Sequence, residues 1–218
     1  MQIVTGVSDR LIELLKSYET GLDKDGKYLP QGEPALSTYQ GEGDDMGVHT
    51  TGWGYAMQNY EEGWYEFSDG TRINLYPIGT EITREQAEEL LENKIFDIED
   101  EMNEVLEKSG ITTQVNQQFY DALFMLNYQN GTGIMTIHSD LSGFLDKDSF
   151  SLTNAREIME QFGEYTNKGQ PGTKKRRLDE IDIIMYNEYE RDEGDIDRYG
   201  DIWRKKTEAK NKKLSEEE

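Results

Sequence analysis

The chain has 218 residues, of which 34% are apolar and 31% charged, and it carries a formal net charge of -22. With 13 tyrosines and three tryptophans it is too aromatic for a disordered chain, and no apolar run approaches the roughly 18 residues of a membrane-spanning helix. Because so negative a chain repels nucleic-acid backbones and anionic membranes, we expect no nucleic-acid partner and no stable membrane insertion.

The N-terminal part of the chain is predicted to contain one helix and a small β region. Ser8 can cap a helix over residues 8–19, in which four apolar residues follow helical spacing: Leu11, Leu14, Leu15 and Tyr18. Residues 20–45 are rich in Gly, Pro and Asp and are predicted to be a loop. Short strands follow over residues 48–57 and 64–76, the second pair joined at an Asp69-Gly70 turn.

Helices are predicted for most of the remaining chain. Thr83 and Gln86 form a capping box for a long helix over residues 83–108, which ends near Gly110. Its apolar stripe consists of Ala87, Leu90, Leu91, Ile95, Ile98, Met102 and Val105. The segment from Asn116 is apolar almost all round, which predicts a helix buried in the core.

Further helices are predicted for residues 154–165 and 174–189. One helix, a small β region and then helices to the end together predict an α+β fold. We expect a single domain over residues 1–218 made of an N-terminal α/β lobe, a larger helical lobe and a charged tail, at about 1–80, 81–200 and 201–218. The chain begins without a basic region followed by an apolar run, so we expect no secretory signal.

Metal and nucleophile chemistries have weak support in the sequence. His49 and His138 are the only histidines and cysteine is absent, so we expect no metal site and no cofactor. Residues 23–26 and 41–45 superficially resemble calcium loops, but they lack the spacing of an EF-hand. The chain has no Gly-x-Ser-x-Gly elbow and no phosphate-binding loop, which disfavours serine hydrolases and nucleotide enzymes.

Carboxylate chemistry remains as the leading possibility. Glu19 closes the first helix among apolar residues, and such surroundings disfavour the charged form, so this carboxyl can act as an acid. Asp44 lies in a polar, glycine-flanked loop where ionisation is easy. Cleavage of a glycosidic bond requires two carboxyls in contrasting surroundings. Because the chain has 45 acidic residues, two ordinary surface acids are the simpler interpretation of this pair taken alone.

The pattern around these two residues resembles a known signature. Glu19 near a helix end, Asp44 six positions before Thr50, and the string TTGWGY resemble the phage-type lysozymes, the T-even phage lysozyme family (glycoside hydrolase family 24). Three later segments resemble the same family in order: ITREQAEELL, ALFMLNYQNGTG at residues 122–133 and PGTKKRRLDE at residues 171–180. The resemblance covers roughly residues 8–190, and the four segments in sequence carry far more weight than any one of them.

The resemblance implies catalytic roles for three residues. Glu19 would be the general acid. Asp44 would be the base, or the carboxylate that stabilises positive charge on the sugar. Thr50 would hold the attacking water through its hydroxyl, which both donates and accepts hydrogen bonds. Attack by water from the opposite face of the sugar implies inversion of configuration. Gly52 and Gly54 would let the backbone approach the cleft closely.

The resemblance also suggests residues that line the sugar subsites. Trp53 and Tyr128 would stack on pyranose rings, and Ser139 would form a hydrogen bond to the substrate. Packing in the core is the alternative for the two aromatic residues. Arg176 or Arg177 would steer a catalytic carboxylate or the anionic wall polymer, with a solvated basic face as the alternative.

The sequence departs from the family pattern at several positions. An insert that includes residues 23–40 lengthens the connection between the two carboxylates, so Glu42 and Asp45 remain alternatives to Asp44 as the base. Thr51 replaces the usual aliphatic residue, and Tyr55 stands where the family commonly has histidine. None of these departures removes a catalytic group.

The function implied is that of a monomeric muramidase with peptidoglycan as its partner, cleaving the β-1,4 bond between N-acetylmuramic acid and N-acetylglucosamine for bacterial lysis by a phage. Its active-site cleft would lie between the two lobes. We expect the protein to collect in the host bacterial cytoplasm and to reach the wall after holin-type release. A virion-associated protein or an injected effector is the alternative. The alternatives are a non-catalytic glycan-binding or structural protein on a lysozyme scaffold, and a lytic transglycosylase.

Overall fold

The computed structural model describes residues 4, 6–19, 21–23, 27–40, 47–108, 115–131 and 171–191, with the backbone alone for residues 171–174. In chain order these residues form α1 (Asp9–Tyr18), β1 (Ala35–Gln40), β2 (His49–Gly52), β3 (Tyr55–Met57), β4 (Trp64–Glu66), β5 (Arg72–Asn74), α2 (Arg84–Lys108), α3 (Gln117–Asn130) and α4 (Pro171–Tyr186). A small β region beside several helices confirms the predicted α+β class. The helix predicted over residues 154–165 and the tail from residue 201 lie outside the described residues.

The chain divides into two compact units. One comprises Ile12–Ile98, and the other comprises Met1–Leu11 together with Glu99–Glu218. The division therefore falls inside α1 and inside α2, whereas the sequence places a lobe boundary at about residue 80. The predicted single-domain organisation, and the cleft between its lobes, stay predictions.

Helix α1 begins and ends as its sequence predicts. The Leu11 amide donates to the Oγ of Ser8 at 3.2 Å, which identifies Ser8 as the N-cap. The apolar stripe of α1 is buried at Leu11, Leu14 and Leu15. After the last helical residue, the Glu19 amide still donates to the Leu15 carbonyl at 3.0 Å. The end of α1 therefore places Glu19 directly beyond a buried helical turn.

A three-stranded antiparallel sheet has the order β1-β2-β3. The prediction of a loop over residues 20–45 is wrong at Ala35–Gln40, which forms β1. Polar side chains hold this strand: the Thr38 hydroxyl donates to the Leu75 carbonyl at 2.7 Å, and the Thr51 hydroxyl of β2 donates to the Ala35 carbonyl at 3.2 Å. Because a polar strand has little apolar alternation, the sequence pattern alone resembles a loop.

The second sheet is the predicted hairpin of β4 and β5, which are antiparallel. Its turn contains Asp69 and Gly70, as expected, and Gly70 has a φ of +84°. The Thr71 amide donates to the Asp69 side chain at 2.7 Å, an interaction typical of tight turns. The turn prediction from the Asp-Gly pair is therefore confirmed.

The long helix α2 begins with the predicted capping box. The Gln86 amide donates to the Thr83 hydroxyl at 3.2 Å, and the Thr83 amide donates to the Gln86 side chain at 3.0 Å. Five members of the predicted apolar stripe are buried: Ala87, Leu90, Leu91, Ile95 and Met102. Ile98 and Val105 are half-buried. The helix ends at Lys108, close to the predicted stop.

Helices α3 and α4 pack against each other in the second compact unit. Asn116 caps α3, and residues 119–128 are buried, which confirms the predicted core helix. Helix α4 extends over Pro171–Tyr186, close to the helix predicted over residues 174–189, and it includes the basic residues of the segment PGTKKRRLDE. A buried ion pair between Arg177 and Glu180 lies on α4, and Arg177 also donates to the Gln129 side chain at 3.0 Å.

Stability should depend on pH through Glu180. Burial raises its pKa from 4.5 to about 8, against the opposing effect of Arg177 and Arg176. A carboxyl whose pKa is higher in the folded chain than in the unfolded chain stabilises the fold at low pH. This stabilisation is lost as the pH rises through the folded-state pKa. We expect the unfolding free energy to fall between about pH 5 and 8, by an amount on the order of a few kcal/mol.

Urea unfolding of the native chain and of Glu180→Gln across this pH range tests the prediction. The glutamine keeps an acceptor for Arg177 but cannot titrate, so the difference between the two curves isolates Glu180. Parallel curves would show that Glu180 has the same protonation in the folded and unfolded chains.

Candidate active site

Glu19 is held where α1 ends and the chain turns back towards β1. The backbone at Gly21 passes close to the start of β1: a Cβ added at Gly21 would lie 2.6 Å from the backbone nitrogen of Ala35. The Gly21 amide donates to the Glu33 carbonyl at 3.2 Å, and the Leu29 amide donates to the Gly21 carbonyl at 3.0 Å. Glu19 itself is half-buried. Its backbone is thus fixed on one side by the helix and on the other by the segment that leads into β1.

The carboxylate of Glu19 lies against Gly54, in the turn between β2 and β3. A Cβ added at Gly54 would stand 2.8 Å from Oε2 of Glu19 and 3.6 Å from its carboxyl carbon. Gly54 has a φ of +78°, a conformation that glycine adopts readily. Its carbonyl accepts a hydrogen bond from the Lys94 ammonium at 3.3 Å. The close approach expected of Gly54 is therefore an approach to the candidate acid itself.

Thr50 and Tyr39 lie opposite each other on the three-stranded sheet. They are register partners in the antiparallel pairing of β1 with β2. Both residues are half-buried. Burial raises the pKa of Tyr39, and the negative charge of Glu19 raises it further. Within the unit Ile12–Ile98, the register of β1 with β2 therefore places a phenol-bearing residue opposite one that bears an aliphatic hydroxyl.

Four of the acids and hydroxyls considered from the sequence lie outside the described residues: Asp44, its alternatives Glu42 and Asp45, and the proposed substrate contact Ser139. Their roles stay predictions. The candidate calcium loops also include residues outside the described ranges. Within those ranges, no group of three or more His, Cys, Asp or Glu side chains is placed to hold a metal ion.

Trp53 lies in the same β2–β3 turn but is packed inward. Its side chain is 2% exposed, its indole nitrogen donates to the Gly32 carbonyl at 3.1 Å, and the Lys16 ammonium lies 4.8 Å from its ring centroid. These contacts fit the packing interpretation of Trp53. Stacking of this ring on a sugar stays a prediction.

Tyr128 and the two arginines belong to the other compact unit. Tyr128 is buried on α3, with the Arg176 guanidinium 5.8 Å from its ring centroid and the Phe124 ring 6.1 Å away. Arg176 and Arg177 are themselves buried, so the interpretation of this segment as a solvated basic face is wrong. Arg177 pairs with Glu180 because a buried cation requires a partner.

Tyr39 is the residue of this site that the sequence analysis missed. It lies on β1, in a segment whose sequence predicts a loop without a strand partner. The available signal was weak: a short polar segment, ALSTYQ, that follows Pro34. Only the pairing with β2 gives Tyr39 its position beside Thr50.

Carboxyl and hydroxyl groups are side chains that acid–base chemistry can use. The sequence model of one family, phage lysozyme, matches residues 36–180, which is more than half of the chain. The chain belongs to the phage lysozyme family, and this membership indicates a peptidoglycan-hydrolysing lysozyme that acts on the cell wall. No curated protein matches the chain.

The matched range includes Thr50, Gly54 and Tyr128 but begins after Glu19. The assignment of Glu19 therefore depends on its packing against the matched hairpin and on the resemblance described above. Among the described residues, no helix is both long and apolar enough to cross a membrane.

Substitution of Gly54 by alanine should reduce activity more than stability. The new Cβ would meet Oε2 of Glu19 at 2.8 Å and displace the carboxylate. Because a misplacement of about 1 Å can cost on the order of 100-fold in rate, we expect a loss of that size in peptidoglycan hydrolysis.

Gly70→Ala is the matched control for this substitution. Gly70 has a φ of +84°, close to that of Gly54, but nothing lies within 4 Å of an added Cβ. Both variants should lose about 1 kcal/mol of stability from backbone strain, whereas only Gly54→Ala should lose activity. Equal activities of the two variants would show that the contact with Glu19 is unimportant for the reaction.

Proposed function

We propose that the protein is a muramidase that hydrolyses the β-1,4 bond between N-acetylmuramic acid and N-acetylglucosamine, in the lysis of bacteria by a phage. The observation that best supports this is the packing of the Glu19 carboxylate against Gly54. Family membership supplies the substrate class, and the packing supplies the candidate acid.

Glu19 acts as the general acid in this proposal. Its carboxyl proton passes to the glycosidic oxygen as the bond to the sugar breaks, which avoids the release of an unstable alkoxide. A half-buried position suits this role because partial exclusion of water strengthens the interaction of the carboxyl with the reacting oxygen. The fixed backbone at the end of α1 keeps the carboxyl in one place during the reaction.

Asp44 and Thr50 act on the attacking water. Asp44 precedes Thr50 by six positions and belongs to the connection between β1 and β2. It takes the proton of a water molecule that the Thr50 hydroxyl holds, and the water attacks the anomeric carbon from the face opposite the leaving oxygen. The product then has inverted configuration at that carbon.

Replacement of Glu19 by glutamine tests the acid. Glutamine preserves the volume of the side chain but cannot supply a proton, so turnover should fall by about 10²–10⁴-fold. Purified protein is incubated with peptidoglycan, and the released muropeptides are analysed by mass spectrometry. Glu13→Gln is the control, because Glu13 lies on the same helix with 77% of its side chain exposed.

The products of this assay also separate the alternative functions. Reducing-end muropeptides are expected from hydrolysis, whereas 1,6-anhydro ends would identify a lytic transglycosylase. Binding of peptidoglycan without release of fragments would identify a glycan-binding protein. Activity of Glu19→Gln equal to that of Glu13→Gln would rule out Glu19 as the acid.

The identity of the base requires three separate variants. Asp44→Asn should abolish hydrolysis, because the water then has no group to accept its proton. Glu42→Gln and Asp45→Asn, in the same stretch of sequence, should retain activity. Loss of activity in one of these two variants, with Asp44→Asn active, would move the base to that neighbouring residue.

A further inference from the structure

We propose that the turn at residues 30–33, within the insert between the two proposed carboxylates, positions Glu19: it joins the segment that follows Glu19 to the β2–β3 turn that contains Gly54. The proposal depends on the proposed function of this site. It gives part of the insert a role, and it makes Trp53 and Glu33 positioning residues, which act on the reaction through Glu19.

The turn at residues 30–33 has a defined backbone. The Glu33 amide donates to the Pro30 carbonyl at 3.0 Å, and Gly32, the third of the four residues, has a φ of +80°. A hydrogen bond between the first and fourth residues, with a positive φ at the third, fits a type II turn. The carbonyls of Gly32 and Glu33 therefore point in fixed directions, and each accepts a hydrogen bond from another part of the chain.

One of these hydrogen bonds holds the segment that follows Glu19. The Glu33 carbonyl accepts from the Gly21 amide at 3.2 Å, and the Gly21 carbonyl accepts from the Leu29 amide at 3.0 Å. Gly21 lies two residues after Glu19, whose own amide is bonded to the Leu15 carbonyl of α1. The backbone of the proposed acid is thus bonded to the helix on one side and, through Gly21, to the insert on the other.

The other hydrogen bond holds the residue before Gly54. The Trp53 indole nitrogen donates to the Gly32 carbonyl at 3.1 Å, and Trp53 is 2% exposed. A buried indole N–H that lost its acceptor would be costly, so this bond fixes the ring to the turn. Gly54 follows Trp53 directly, and a Cβ added there would lie 2.8 Å from Oε2 of Glu19. Both partners of the contact between Glu19 and Gly54 are therefore tied to the same four-residue turn.

An ion pair joins the turn to a third element. The Glu33 carboxylate pairs with the guanidinium of Arg84, in the first turn of α2. The guanidinium also lies 5.9 Å from the centroid of the Trp53 ring. About half of each charged side chain is exposed, so the pair is weak by itself. It nevertheless links the turn to the start of α2, beside the ring that the Gly32 carbonyl binds.

Release of the turn should affect the rate more than the binding of substrate. Glu19 would stay bonded to α1, but the distance between its carboxylate and Gly54 would no longer be fixed. Small displacements of a catalytic group reduce the rate strongly. Because the Trp53 ring is buried, its contact with the turn should contribute to kcat and leave KM unchanged.

Trp53→Phe removes the indole N–H and keeps an aromatic ring. We expect kcat for soluble peptidoglycan fragments to fall by about three- to tenfold with KM unchanged, because one hydrogen bond to the turn is lost. Trp64→Phe is the matched control, since it makes the same substitution in the same compact unit at a side chain that is 45% exposed. It should retain native kcat. Native kcat in Trp53→Phe, with or without a raised KM, would overturn the proposal.

Exchange of the charges of Glu33 and Arg84 tests the turn without a change in the core. Glu33→Arg and Arg84→Glu should each lower kcat by about two- to fivefold. The double variant should recover most of this loss, because it restores the ion pair with reversed charges and leaves the net charge unchanged. Native kcat in both single variants, or no recovery in the double variant, would overturn the role of the turn, since Trp53 would then act by packing alone.

Hydrogen exchange of the Gly21 amide separates this proposal from the function on which it depends. The amide is bonded to the Glu33 carbonyl, so it should exchange several-fold faster in Trp53→Phe than in the native chain and in Trp64→Phe. A native chain that releases no muropeptides would overturn the muramidase function and, with it, the catalytic role of the turn. An active native chain whose Gly21 amide exchanges at the same rate in all three proteins would overturn the role of the turn alone.

Discussion

The contact between the Glu19 carboxylate and Gly54 joins the end of α1 to the β2–β3 turn within the unit Ile12–Ile98. One partner is fixed by the end of a helix and the other by a strand turn, so the carboxylate has a defined position only if both elements are in place. A Cβ at Gly54 would lie 2.8 Å from Oε2 of Glu19, so a side chain there would displace the carboxylate. The φ of Gly54 is also positive, a conformation that glycine adopts readily.

The strands around this contact are joined mainly by polar interactions. β1 has only one buried apolar side chain, Ala35, and its buried Thr38 bonds to a backbone carbonyl. Buried hydroxyls with defined partners specify register strongly, since a shifted strand would leave them unsatisfied. Such a strand gives less stabilisation than an apolar one, but it places the Tyr39 and Thr50 hydroxyls opposite each other. A site that needs hydroxyl groups at fixed positions is suited to this kind of sheet.

The helices and the β4–β5 turn could be predicted from sequence because their signals are local. Ser8, the Thr83–Gln86 box and Asn116 mark helix starts through contacts that span three residues. β1 could not be predicted in this way, since its partners are on β2 and near Leu75 and Thr80. The burial of Arg177 was missed for the same reason: it is stabilised by Gln129 of another helix as well as by its neighbour Glu180. In the candidate site, Glu19 and Thr50 are predicted from the resemblance to a family signature, whereas the position of Tyr39 opposite Thr50 follows only from the register.

The packing of Glu19 joins two observations that are otherwise separate. The family match begins at residue 36, beyond Glu19, and so gives no support to a particular acid. It does include the β2–β3 hairpin, and the described residues of that hairpin include Gly54. The contact of the Glu19 carboxylate with Gly54 links Glu19 to that matched hairpin, and it is the physical reason why we propose Glu19 as the acid.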